Sequence, residues 1–129
     1  MRENETADIL DLMLESIKLV QERFSKVGNP DDFVATSEGV TMLDAISMRL
    51  QVIGESVKQI QKVNPGFLEK SPEIEWDKTA RFRDLVSHHY DHVDHEVVFD
   101  ICKRHIPKLG EVIQKLRKAH SGNESSESP

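Results

Sequence analysis

Apolar residues recur along this chain at alternating steps of three and four, which places them on one face of an α-helix. Leu10, Met13, Ile17, Val20, Phe24 and Val27 draw the first stripe and predict a helix from about residue 4 or 6 to 27. Gly28-Asn29-Pro30 ends it, because Gly and Asn tolerate left-handed backbone and Pro cannot continue the ladder. Asp31-Asp32-Phe33 reads as a short capped turn of helix. Leu43, Ile46, Leu50, Ile53, Val57 and Ile60 form a second stripe over residues 37–63. Gly54 lies beside it, where a missing side chain lets another helix come close. Asn64-Pro65-Gly66 is a strong stop. Residues 67–75 form a connector containing Pro72, and Trp76, the only tryptophan, is expected to pin it to the core. A third helix is predicted over 77–88, then a loop over 90–94 with Asp94 as the next N-cap. The last helix is expected over 95–120, with Val98, Ile101, Ile106, Leu109, Ile113 and Leu116 inward. Pro107 lies inside it and should kink or restart it. Residues 121–129, acidic and Ser-rich, read as a disordered tail, leaving 1–120 as one domain.

Helical stripes joined by short breakers predict an all-α fold: an antiparallel, up-and-down bundle of four to five helices. A length of 129 residues suits one domain, and 37% hydrophobic with 31% charged residues fits helices with wet outer faces. Six Gly and five Pro leave little turn chemistry for a many-stranded β protein. The single cysteine, Cys102, cannot form an internal disulfide and reads as a small buried residue in a reducing cytoplasm. The polar first eight residues lack the apolar stretch of a secretory signal. No apolar run approaches the ~20 residues that span a bilayer, so no membrane partner is expected. A formal net charge of −6 argues against broad attraction to nucleic acid but leaves room for a local basic cleft. Met13, Met42 and Met48 read as packing, and Lys58, Lys62, Lys115 and Lys118 as solvated helix faces.

Charge and histidine are unevenly spread. Five of the six histidines, His88, His89, His92, His95 and His105, lie between positions 88 and 105. Over residues 76–108 six basic and six acidic residues cancel, so this stretch is less acidic than the whole and turns positive with any histidine protonation. Within it stands Arg81-Phe82-Arg83-Asp84-Leu85-Val86-Ser87-His88-His89-Tyr90. Arg83 and His88 are five apart, roughly one and a half turns at about 3.6 residues per turn, and a turn after the helix would bring them together. An Arg fork holds two phosphate oxygens, and a His titrates near neutrality and can move a proton. Together they are a minimal kit for cleaving RNA, which supplies its own 2′-hydroxyl nucleophile and needs no metal. The competing reading is that Arg83 pairs with a carboxylate while His88 caps a helix end. A metal site is a further alternative: His88, His92 and His95 would share a face on a continuous helix, although structural zinc sites usually bring four ligands and often Cys.

The string Arg83-x4-His88-x-Tyr90 resembles the Arg-x4-6-His motif of the HEPN superfamily, and specifically that of HepT-type toxins of toxin–antitoxin pairs. The segment from Met48 to Lys58, with Ile53-Gly54-Glu55 at its centre, is similar to the family's second-helix segment. Pro72-Glu73-Ile74-Glu75-Trp76 resembles the approach to its motif helix, and Tyr90-Asp91-His92-Val93-Asp94 its Tyr-x-x-Val-Asp exit. The resemblance covers roughly residues 7 to 118. Two positions depart from it: Asp84 stands where Asn is common, and His89 where a smaller or acidic residue is common. Both are carried as supporting residues of the site. The resemblance implies a homodimer whose two motif segments form one composite cleft. There Arg83 and His88 would act as catalytic residues of a cofactor-free, metal-independent endoribonuclease on mRNA or tRNA. It also implies a partner, a minimal nucleotidyltransferase of the MntA type, that silences the toxin by transferring AMP from ATP onto Tyr90. Added bulk and phosphate charge there would compete for Arg83. The alternative is a non-catalytic nucleotide- or partner-binding subunit of a nucleotidyltransferase complex.

Overall fold

In the computed structural model the chain is mostly helical; residues 2–89 and 92–127 are described, with side chains described for 5–86 and 93–120. Three long helices dominate, α1 (Arg2–Phe24), α3 (Ser37–Val63) and α7 (Ile106–Glu127). Four short ones, α2 (Asp32–Ala35), α4 (Trp76–Ala80), α5 (Phe82–Val86) and α6 (His95–Asp100), accompany them. The expected four or five helices are thus three long rods and several single turns. The helical backbone of α7 runs on through 121–127, the segment read from the sequence as a tail.

Side-chain links across the bundle fix its directions. Thr6 near the start of α1 accepts from Asn64 Nδ2 at the end of α3 (3.3 Å), so α1 and α3 run antiparallel. Arg117 of α7 meets Asp11 of α1 at 2.8 Å, and a Cβ on Gly110 would lie 3.3 Å from Ile17, so α1 and α7 are antiparallel too. Between these rods every apolar position predicted for α3 and the last helix is buried, as are Leu10, Met13, Ile17 and Val20 of α1. Phe24 and Val27 are only partly buried. Helix α1 stops at Phe24 because the following amides bond three residues back, Lys26 to Arg23 and Val27 to Phe24. Met13 is fully buried, but Met48 is 60% exposed on the outer face of α3, against the packing role expected of it.

Local chemistry explains the boundaries. Thr36 caps α3 by accepting from Gly39 N–H at 2.9 Å. After α3, Phe67 N–H bonds the Asn64 carbonyl across Pro65 and Gly66, and Gly66 has φ +85°. That is a type II turn, with Pro preset at the second position and Gly free to take positive φ at the third. Trp76 is buried and donates from Nε1 to the Ser71 carbonyl at 3.0 Å, pinning the connector as expected. Ahead of Pro107 the rod widens into a π turn at Ile101–His105, with Ile106 N–H bonding the Ile101 carbonyl five residues back. A proline ring would collide with the carbonyl four residues before it, and the wider turn relieves that collision without leaving helical dihedral space.

Candidate functional site

The predicted helix over 77–88 is not one helix. It breaks at Arg81 (φ −99°, ψ 19°), restarts as α5, and stops at Val86. The reason lies in which side chains can be buried. On an unbroken helix Trp76, Thr79, Ala80, Arg83 and Ser87 would share the inward face, leaving Phe82 in water. The break moves the inward positions to Phe82 and Val86, both fully buried, and turns Arg83 and Asp84 outward. Burying a Phe contributes about 1.5–3 kcal/mol, whereas an unpaired buried Arg is strongly unfavourable, so the broken helix wins.

Gly54 is the seat of this break. A Cβ there would stand 3.0 Å from the Thr79 carbonyl oxygen, 3.2 Å from that of Ala80 and 3.5 Å from Phe82 Cβ. The end of α4 therefore rests directly on the backbone of α3, the close approach that the glycine predicted.

Beyond Val86 the chain forms a small antiparallel hairpin, β1 (Ser87–His89) and β2 (His92–Val93), where helix and then loop were expected. Ser87 pairs with Val93 and His89 with His92, so the register slips by one and β1 carries a bulge. Asp94 N–H bonds the Val86 carbonyl at 2.7 Å and closes the hairpin base. The Asp94 side chain accepts from Glu96 and Val97 N–H at 3.2 and 3.1 Å, the N-cap role predicted for it.

These elements place the candidate residues as follows. The Arg83 side chain is exposed, and among the described residues no carboxylate pairs with it. Neighbouring Asp84 is exposed as well. The backbones of His88 and His89 lie in β1, while their side chains, and Tyr90 altogether, lie outside the described residues. His88, His92 and His95 fall on β1, β2 and the start of α6, so the shared helical face proposed for a metal does not form. Among the described residues no three His, Cys, Asp or Glu side chains gather as a metal site. No helix among the described residues is long and apolar enough to cross a membrane.

Behind α5 stands a residue that the motif does not include. His105 Nε2 lies 2.8 Å from Thr79 Oγ1, and its ring meets Phe82 edge to face with centroids 5.2 Å apart. Burial holds this imidazole below the usual histidine pKa, with nearby Lys78 and Lys108 acting in the same direction and Glu75 against them. Burial also pushes the Cys102 thiol up to about 12, which removes it as a nucleophile near neutral pH.

Fold and site together define a helical bundle that presents an outward Arg on a broken helix followed by a His-bearing hairpin. The chain belongs to the HepT-like ribonuclease family, whose model matches residues 13–116. It is 35% identical over 111 residues to "Probable ribonuclease HepT" of Thermococcus cleftensis, covering 86% of this chain and 94% of that one. It is 32% identical over 117 residues to "Gamma-glutamylcyclotransferase and putative RNase MJ0434" of Methanocaldococcus jannaschii, covering 91% of this chain but 50% of that protein. Thus the chain spans only half the length of that relative. No solved structure matches the chain.

Proposed function

We propose that this protein is a metal-independent endoribonuclease, the toxin of a toxin–antitoxin pair acting in the cytoplasm as a homodimer. The observation that carries this reading is the helix break at Arg81, which presents Arg83 to solvent with no carboxylate partner among the described residues. A solvent-facing guanidinium on a chain of net charge −6 is suited to a phosphate. In the proposed reaction one His88 takes the proton of the RNA 2′-hydroxyl, and the 2′-oxygen bonds to phosphorus. The bond from phosphorus to the 5′-oxygen breaks, and the leaving oxygen takes a proton from the second His88 across the dimer. Arg83 offsets the charge that develops on the phosphoryl oxygens. Tyr90 is the proposed site at which an MntA-type nucleotidyltransferase transfers AMP and switches the cleft off.

Arg83→Ala and His88→Ala test the reading. Each should reduce cleavage of a single-stranded RNA by at least about 100-fold, the usual scale of a lost acid–base or charge-stabilising group. Sedimentation and circular dichroism should show both variants folded and dimeric. Cleavage undiminished in both would reject the nuclease. Tight AMP or ATP binding by calorimetry, in protein that cuts no RNA, would favour the nucleotide-binding alternative. Intact mass of protein co-expressed with the nucleotidyltransferase should show AMP units on Tyr90.

A further inference from the structure

Both sides of the break at Arg81 are touched by one side chain from far along the sequence. On the α4 side, the fully buried Thr79 places Oγ1 3.1 Å from the Glu75 carbonyl, to which it donates. A hydroxyl has one proton, so the contact at 2.8 Å with His105 Nε2 is completed by the imidazole N–H donating to Oγ1. On the α5 side, the same ring stands edge-on to Phe82 at 78° between planes. Phe82 is the residue immediately before Arg83 and is fully buried. The opposite side of the junction rests on Gly54, so α4 and α5 are clamped between α3 and the π turn.

We propose that His105 is a positioning residue for Arg83, setting the angle of the helix break through Thr79 and Phe82 and so fixing where the guanidinium is presented. This rests on the ribonuclease reading above. The argument is one of tolerance. A group that stabilises a transition state must be held within fractions of an ångström, and a misplacement of about 1 Å can cost about 100-fold in rate. Arg83 sits on a helix of five residues, too short to hold its own direction, so its support must come from what packs behind it. The charged groups around the ring are Glu75 at the N-cap of α4, Lys78 within α4 and Lys108 of α7. Two cations to one anion favour the uncharged imidazole, whose single N–H suffices for the bond to Thr79.

The test is steady-state cleavage of a short RNA at a temperature where every variant is folded. His105→Phe keeps a ring against Phe82 but loses the N–H, and Thr79→Val loses the hydroxyl at constant shape. Each should lower kcat about tenfold with KM within about twofold, since substrate still binds but the Arg is misdirected. The double variant should be no worse than either single one, because both remove the same bond. His105→Gln and Thr79→Ser, which restore a donor and an acceptor, should recover most of kcat. A role in stability alone would leave kcat of the folded protein unchanged. Wild-type kcat in both His105→Phe and Thr79→Val, with Arg83→Ala inactive, overturns the inference and leaves the ribonuclease standing. Undiminished cleavage by Arg83→Ala overturns the inference, and undiminished cleavage by His88→Ala as well overturns the ribonuclease reading with it.

Discussion

Arg83 reaches solvent because Phe82 takes the buried place beside it, and that exchange makes the site sensitive to changes behind it. Phe82→Ala should cost about 3–5 kcal/mol in urea unfolding, the usual loss for emptying a Phe site in a core. His105 couples the same place to pH. Its pKa is lowered on folding, so the unfolded chain takes up a proton near 6.5 while the native protein still resists it. The unfolded state then binds more protons, and stability falls as pH drops through that range. Urea midpoints measured at pH 7.5 and 5.5 should show this decline, and His105→Gln should make it shallower. Cys102 gives the opposite kind of prediction. A thiol pushed up to about 12 carries roughly a thousandth of the thiolate of an ordinary one at pH 8, so native protein should resist alkylation until denatured.

At the scale of elements, Gly54 decides how closely α4 can approach α3. Even a Cβ there presses on the Thr79 and Ala80 carbonyls, and a branched side chain more so, so Gly54→Val should destabilise by about 1–3 kcal/mol and reduce RNA cleavage further than the folded fraction explains. Much of this architecture was legible in the sequence. The boundaries of α3, the Asp94 cap, the anchoring of Trp76 and the disturbance at Pro107 all follow from local chemistry that one sequence displays. The break at Arg81 and the hairpin did not. Residues 77–88 contain good helix formers and no Gly or Pro, so propensity favours continuity, and the opposing force is tertiary burial of Phe82. The slip from Trp76, Thr79 and Ala80 to Phe82 and Val86 is a change of phase within one apolar stripe, too short on either side to establish a period of its own. Strands of three and two residues are too short to show a period. The role of His105 could not be read at all, because its partner Thr79 is 26 residues away.

For the molecule as a whole, a chain this acidic can hold RNA only through a few focused contacts. If one Arg83 from each subunit supplies the main phosphate contacts, log K for a single-stranded RNA should fall with log salt at a slope of about −1.4, far shallower than for a protein with a broad basic face. Filter binding or fluorescence titration from low to high salt measures that slope, and sedimentation should give a particle of twice the 14.7 kDa chain mass. The bulged hairpin has a different consequence, for how sequences of this kind can vary. Strands β1 and β2 lie between Val86 and Asp94, whose backbones bond to each other at 2.7 Å, and their ladder already accommodates one surplus residue. A residue gained or lost in this hairpin would be absorbed by the pairing instead of rotating the rods by a third of a turn. The distance in sequence from Arg to His is thus free to drift while the bundle stays still, which gives a physical origin for a motif written with an interval of four to six.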